Sequence, residues 1–359
     1  MPDPAKLGPI VPRPGVPLYR DVRDAMVDAI RAGIFHPGDR IPTTKQLSQQ
    51  LSVSLVTAHR AMQELVASGH LERTQGRGTF VRDFEKEGSF RHKLGIVLNP
   101  LASMADFYYS QILEGMCQAC RAQDIELLMM HPTERAELGC QGYMCLNLSP
   151  EMLKKVYQLS KKHAPVVAVG EKSDIKQVTT IDVDNVDLAT KAVEYLYELG
   201  HRRIGYVGSN NERSHSKDRR EGFTKTCKRL GIKAKDVSMC DAADWRLNND
   251  EKGRLTQLLN QDNRPTAILS GGYYLALDVY AAAARLGLAI PKDLSVIGVD
   301  DPPSAAHLSP ALTTMRQPLV ELGHTAATIA EGMVGSDQNG VKDHALRAEL
   351  IIRGSTAGC

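Results

Sequence analysis

Two short amphipathic stretches, Thr44–Leu51 and Ser54–Val66, are separated only by Ser52 and Val53. In the first, Leu47 and Leu51 recur at helical spacing. In the second, Ala58, Ala61, Met62 and Leu65 define one buried face. That leaves Ser54, Leu55, Thr57, His59 and Arg60 toward the outside and the N-terminal end. A glycine-flanked stretch follows, His70–Val81 with Gly76–Arg77–Gly78 at its tip, and reads as a hairpin. Helix, turn, helix and wing fill a segment too short for much else. A helix of this size fits a major groove, so the pattern predicts double-stranded DNA as partner.

A further stripe, Leu18, Val22, Ala25, Met26, Ala29 and Ile30, predicts a preceding helix that ends at Gly33. The module is expected over 17–82, after a proline-rich lead-in over 1–16 with no apolar core segment, hence no secretory signal. Between Arg40 and Arg82 there are six basic residues against two acidic ones, whereas beyond residue 90 there are 32 of each sign. The basic excess therefore sits with the reading module, although the whole chain carries only +2.

A length of 359 residues leaves room for two or three domains. No window approaches eighteen unbroken apolar residues, so no membrane span is expected. Seven cysteines, an odd number, favour a reducing cytoplasm over a disulfide frame. Cys117 and Cys120 form a C-x-x-C, with Cys140 and Cys145 further on. These spacings miss the paired pattern of structural zinc sites, and Cys120 falls in a helical apolar stripe with Ile112, Leu113 and Met116. No metal or cofactor is expected.

Residues 83–92 are mixed in charge and read as a linker. Beyond them the pattern becomes α/β. Apolar runs at Leu94–Leu98, Ile125–Met130, Tyr143–Leu146, Val166–Val169, Ile204–Val207, Ala267–Leu269 and Val296–Val299 are mostly separated by helical patterns. Buried parallel strands look like this, so doubly wound sheets are predicted, with ligands at the strands' carboxyl ends. Met129–Met130 is expected in strand core. Asp184–Asn185 is expected to cap the following helix, and His201–Arg202–Arg203 to sit against a helix C-terminus after Gly200.

Residues 17–81 resemble the GntR-type winged helix. The carriers are P-L-Y at 17–19, P-G-D-R-I-P at 37–42, Q-L-S-Q-Q-L-S-V-S at 46–54 and T-Q-G-R-G-T-F-V at 74–81. The resemblance implies DNA contacts from Thr43, Thr44 and Lys45, from Ser54, Leu55, Thr57, His59 and Arg60, and from Gln75, Gly76 and Arg77. Many members of that family carry arginine where Leu55 and His59 stand here. Leu55 cannot hydrogen-bond a guanine edge but can touch a thymine methyl, so the family's commonest operators are not expected to transfer.

Residues 93–356 resemble the LacI/GalR-type effector domain, which is similar to periplasmic sugar-binding proteins. The carriers are V-D-N at 183–185, L-G-H-R-R-I-G-Y-V-G at 199–208, R-x-x-G-F at 219–223, P-K-D-L-S-V-I-G-V-D-D at 291–301, L-T-T-M-R-Q-P at 312–318 and E-L-I-I-R-G-S-T at 349–356. The combined order is similar to the arabinose-repressor architecture. The resemblance implies two periplasmic-binding-protein-like lobes joined by three crossovers. Lobe one is expected over 93–183 plus 313–340, lobe two over 184–312 plus 341–356. It implies a small molecule, a sugar or sugar-like compound, in the cleft, with contacts from Asn99, Phe107, Arg219, Trp245, Gly272, Tyr273 and Asp300. Where that family usually shows A-N-D, this chain has Gly271–Gly272–Tyr273, and a polyol-gripping asparagine is missing. The segment between Met130 and Gly142 is shorter than the family's helix there.

The expected function is a ligand-responsive transcriptional regulator, a repressor acting as a homodimer on a near-palindromic operator. Two alternatives stand beside it. One is an enzyme on the α/β portion, for which Asp300–Asp301 is the available carboxylate pair; no G-x-x-x-x-G-K-[ST], G-x-S-x-G or H-E-x-x-H is present. The other is a plain small-molecule-binding protein with a vestigial reader. Trp245 reads either as packing or as a stacking platform, and Arg219 either as a solvated helix start or as a ligand contact.

Overall fold

The computed structural model describes residues 10, 12–13, 16–31, 33–36, 38–67, 70–74, 78–81, 91–100, 102–130, 140–160, 164–335 and 343–359. The chain divides into two compact units, 1–91 and 92–359. The expected contacts Gln75, Gly76 and Arg77, the linker and most of the shortened 131–141 segment lie outside the described residues.

The first unit opens with α1 (Leu18–Arg31), whose Tyr19, Val22, Met26 and Ala29 are buried as their spacing requires. Helices α2 (Thr44–Gln50) and α3 (Leu55–Ala67) follow. Their connection is set by local bonds: Ser52 takes a left-handed backbone (φ 52°), and Ser48 Oγ donates to the Val53 carbonyl at 2.7 Å. Strands β1 (Leu71–Thr74) and β2 (Gly78–Val81) pair antiparallel, Leu71 against Val81 and Thr74 against Gly78, and Arg40 bridges to Phe80. One apolar core joins all of these through Met26, Phe35, Leu47, Met62, Leu65 and Val81. Arg23 reaches Glu64 at 3.2 Å and ties α1 to α3.

The second unit holds two six-stranded sheets. In lobe one the strands β3 (His92–Leu98), β4 (Ile125–Met130), β5 (Gly142–Leu146), β6 (Val166–Val169), β7 (Val178–Val183) and β13 (Asp343–Leu346) lie in the order β13-β7-β6-β5-β3-β4. All five pairings are parallel. Helices α4 (Phe107–Ala122) and α10 (Leu319–Met333) cover one face, and α5 (Pro150–Leu159) covers the other. Two glycines let α4 and α10 touch backbone to backbone. A Cβ on Gly115 would lie 1.9 Å from the Val320 carbonyl oxygen, and one on Gly323 equally close to that of Ile112.

In lobe two, β8 (Ile204–Ser209), β9 (Val237–Ala242), β10 (Ala267–Ser270), β11 (Ser295–Val299), β12 (Thr313–Arg316) and β14 (Glu349–Ile351) run β14-β12-β11-β10-β8-β9. Only β14 is antiparallel to its neighbour. Helices α6 (Asn185–Glu198) and α7 (Ser214–Arg229) cover one face; α8 (Asn249–Leu259) and α9 (Tyr273–Arg285) cover the other. The three crossovers fall at 183–185, 316–319 and 346–349.

Two of those positions correct the expected lobe boundaries. Thr313–Arg316 belongs to lobe two, because it pairs in register with Ile297–Val299; the chain leaves that lobe only at Pro318, which opens α10. Asp343–Leu346 belongs to lobe one, paired with Thr180–Val183, and the Asp343 carboxylate accepts from the Thr180 hydroxyl at 2.5 Å. Met129 is a further correction. It lies near the end of β4, the edge strand of its sheet, and is 56% exposed, although Ile125 and Leu127 on the same face of that strand pack into the core. His201 also differs from expectation. It is buried, within 2.9 Å of Thr266 Oγ1 and 3.1 Å of Ser295 Oγ, while Arg202 alone donates to the Tyr197 carbonyl at the helix end. Asp184 does cap α6, accepting from the Asp187 amide at 2.9 Å. Among the described residues no helix is long and apolar enough to cross a membrane, and no cluster of three or more potential metal ligands occurs.

Candidate functional site

The outer end of α3 is built for contact rather than packing. Ala58, Ala61 and Leu65 face the core, while Leu55 is 55% and Val56 77% exposed, although both are apolar. Sequence reasoning named Leu55 and passed over Val56. Ser54 and Thr57 are tied to each other. The Ser54 hydroxyl accepts from the Thr57 amide at 3.1 Å, and their two hydroxyls share a hydrogen bond of 2.8 Å. This is an N-cap, which satisfies an otherwise orphaned helix amide.

Thr43 is likewise a cap. Its hydroxyl donates to Gln46 Oε1 at 2.8 Å, and the Gln46 side chain in turn accepts from the Thr43 amide. Thr44 is half-buried in the first turn of α2, whereas Lys45 is exposed beside it. Arg60 lies with its guanidinium 4.2 Å from the Tyr19 ring centroid, a cation–π contact that aims it from the flank of α3. His59 is exposed. Neither α2 nor α3 has an acidic residue in its first turn.

The second site lies where the strands of both lobes end. Arg219 is only 5% exposed, so it is no solvated helix start. Its Nε donates to Asn185 Oδ1 at 2.7 Å, and its Nη1 to the Gly271 carbonyl at 2.5 Å. Asn185 in turn donates to Asp182 Oδ2 at 3.0 Å, so the first crossover and the end of β10 meet on one guanidinium. The Trp245 ring lies 5.7 Å from Arg219 Cζ and stacks on His215, with centroids 5.2 Å apart and 29° between planes. Gly272 is where the indole fits: a Cβ there would lie 3.2 Å from Trp245 Cε3. The indole thus packs over the position where the resembling family usually has asparagine.

Asp300 follows β11 with a left-handed backbone (φ 91°) and accepts from Gln317 Nε2 at 2.5 Å, across the second crossover. Its neighbour Asp301 points elsewhere, to Arg316 at 2.8 Å and Arg353 at 2.6 Å. The carboxylate pair required by an enzymatic reading is therefore split between two partners. Asn99 donates to the Asn147 carbonyl at 3.0 Å, and Phe107 packs at the start of α4 against the core of lobe one. Tyr273, at 9% exposure, opens α9 and packs in the apolar cluster of lobe two.

Sequence reasoning missed the residues that bind the lobes together. Glu171, just past β6, accepts from the Ser214 amide at 2.8 Å and lies 3.4 Å from Arg213 Nη1. Arg213 also donates to the Asn147 carbonyl at 3.1 Å. Lys172 meets Asp218 at 2.6 Å. His215 Nδ1 lies 3.1 Å from the Gly170 carbonyl, which can only accept, so Nδ1 carries the proton and Nε2 is left an acceptor. That Nε2 is buried and has no hydrogen-bond partner among the described residues; the same holds for Ser216 Oγ and Ser270 Oγ.

Electrostatics follow the burial. Loss of hydration, reinforced by the Arg219 charge, pushes His215 down to about 3. Asp182 is pushed up to about 7, chiefly by lost hydration, with Arg219 opposing. Asp300 is raised for the same reason, again against Arg219. Of the three cations here, Lys172 is paired with Asp218 and Arg213 with Glu171, while Arg219 donates to Asn185 and the Gly271 carbonyl.

Residues 18–81 match the family described as bacterial regulatory proteins, gntR family, and residues 193–356 match the periplasmic binding protein-like domain. The two matches fall in separate parts of the chain, one in each compact unit. The HTH-type transcriptional repressor CytR of Escherichia coli K12 is 33% identical over 192 residues, 54% of this chain and 56% of that protein. The match thus spans little more than half the length of that relative. The HTH-type transcriptional repressor PurR of Pectobacterium carotovorum is 29% identical over 269 residues, 70% of this chain and 76% of the relative. Among solved structures, a LacI-family regulator from Enterococcus faecium with bound ribose gives a TM-score of 0.63 at 21% identity, covering 74% of this chain and 99% of that one. A LacI-family regulatory protein from Chloroflexus aggregans gives 0.62 at 25% identity, with 74% and 98% covered.

Proposed function

We propose that the protein is a ligand-responsive transcriptional repressor that reads double-stranded DNA through α3 and the hairpin. The observation that carries this is the free outer end of α3, exposed and apolar in a helix whose other face is fully packed. The gntR-family match over 18–81 and the repressor names of the relatives support the same reading. Lys45, His59 and Arg60, all exposed, supply cationic and polar groups on α2 and α3, and Gln75, Gly76 and Arg77 are proposed as further DNA contacts. A homodimer would set two such helices on the half-sites of a near-palindromic operator, in the cytoplasm.

The effector of the interlobe cleft is an uncharged, hydroxyl- or N–H-bearing molecule of about sugar size. Glu171 already occupies the N-terminus of α7, where an anionic group would otherwise be welcome. His215 Nε2, Asp182 and Asp300 offer acceptors, while Arg219 gives two of its five N–H groups to Asn185 and the Gly271 carbonyl and has others for a ligand hydroxyl. The ribose bound by the Enterococcus faecium regulator is a molecule of that chemistry.

Fluorescence anisotropy with DNA from the protein's own upstream region tests the reader. Binding should be tight at low salt and fall steeply as salt rises, because phosphate contacts release counterions. Absence of binding at low ionic strength would end this reading. For the cleft, neutral pentoses and nucleosides should raise the melting temperature by mass action, while the corresponding acids and phosphates should not.

A further inference from the structure

We infer that Leu55 and Val56 read thymine methyl groups in the major groove, in place of hydrogen bonding to base edges. The inference rests on the DNA-binding reading above and specifies what the helix recognises. Leu55 and Val56 form the first turn of α3 and are the two large apolar side chains of the first unit that stand exposed among the described residues. Neither has a packing role that would explain its chemistry. The hydroxyls beside them are turned inward: those of Ser54 and Thr57 bond each other, and the Thr57 amide is capped. Arg60 is stacked on Tyr19 one turn further along. A helix tip whose hydroxyls are paired internally, and whose outermost atoms are methyl groups, has apolar contact as its means of discrimination. In the major groove the apolar feature that distinguishes one base pair from the others is the C5-methyl of thymine. The surround is cationic, with Lys45 exposed nearby and no acidic residue in the first turn of α2 or α3, which suits a duplex rather than an apolar protein partner.

The test combines a deletion on each side of the contact. Sites selected from random duplex DNA with the full-length protein should contain thymine at one or two adjacent positions per half-site. Replacing that thymine by deoxyuridine removes only the methyl. Affinity should fall about fourfold per methyl, as expected for about 0.8 kcal/mol of apolar burial. In the Leu55→Ala/Val56→Ala variant, whose changed side chains support no core, the thymine and deoxyuridine sites should bind alike. Deoxyuridine at thymines elsewhere in the site should have little effect in either protein. The inference is overturned if the selected half-sites lack thymine, if deoxyuridine is silent, or if its penalty survives in the double variant. Recovery of no sequence at all would instead overturn the DNA-binding reading on which it rests.

Discussion

The tip of α3 and the interlobe cleft handle their polar groups in opposite ways. At the tip, polar groups are satisfied locally, within three residues, and apolar atoms are left outside. In the cleft, charged groups are buried, and partners come from positions 34 to 66 residues apart, as in Arg219 with Asn185 and Gly271 or Arg213 with Glu171 and Asn147. An exposed tip can be altered without disturbing its scaffold. A buried network cannot, because removing one member strands another. The difference predicts which substitutions damage function alone and which damage stability as well.

The largest expected effect belongs to the scaffold under the cleft. Gly115→Ala would drive a methyl into the Val320 carbonyl of α10, and neither backbone can move without unpacking lobe one. A loss of ~3 kcal/mol or more is expected, at the upper end for overpacking. Thermal unfolding should show it as a lowered transition for the two-lobed unit. Next comes Arg219→Met, which keeps the volume but removes the cation. Asn185 Oδ1 and the Gly271 carbonyl lose their donor, and Asp300 loses its compensating charge. About 2–3 kcal/mol is expected, together with loss of the thermal shift given by any neutral ligand found. DNA affinity without ligand should stay within twofold, and a larger drop would break the claimed partition.

These two sites were not equally legible in the sequence. The reader was visible because its determinants are local: helical spacing, a two-residue turn and a glycine-flanked wing. What escaped there was Val56, since an exposed apolar residue inside a helix has no spacing signature. In the second unit the long apolar strands were readable as runs. The short polar ones were not: Val178–Val183 contains Thr179, Thr180 and Asp182, and Thr313–Arg316 looks like loop. Missing Thr313–Arg316, and Asp343–Leu346 after it, misplaced two lobe boundaries. The latch of Glu171 with Arg213 and Ser214 left no local trace, because its partners are 42 and 43 residues apart and meet only after both lobes form.

Protonation gives a smaller and sharper contrast within the cleft. His215 titrates near 3 in the fold against an ordinary 6.5, so it destabilises the fold as pH drops through that interval. Asp182 titrates near 7 against 3.8. The folded state then holds a proton the unfolded chain lacks, and stability falls as pH rises from about 4 to 7. The two slopes oppose each other between pH 4 and 6.5. Wild-type melting temperature should therefore vary little there as far as this pair is concerned. Asp182→Asn should unmask a rise with pH, and His215→Gln should unmask a fall. Parallel profiles for the two variants would mean the groups are not buried as described.

The smallest effects separate the two kinds of contact within the reader itself. Lys45→Ala removes one exposed cation from α2 and nothing from the core, so stability should change by less than about 0.5 kcal/mol. If Lys45 faces phosphate, affinity should drop by a similar factor on every sequence, and the slope of log affinity against log salt should become shallower by about one. Leu55→Ala should do the reverse, leaving the salt slope unchanged and weakening only sites that carry the thymine methyl. A Lys45 variant that altered sequence preference, or a Leu55 variant that altered the salt slope, would show that charge and methyl contacts are not divided between α2 and α3. Such a division is expected physically. A lysine is a mobile point charge on a long stem and suits the backbone of any duplex, whereas two short apolar side chains fixed in the first turn of a helix have no favourable contact unless a methyl stands opposite them.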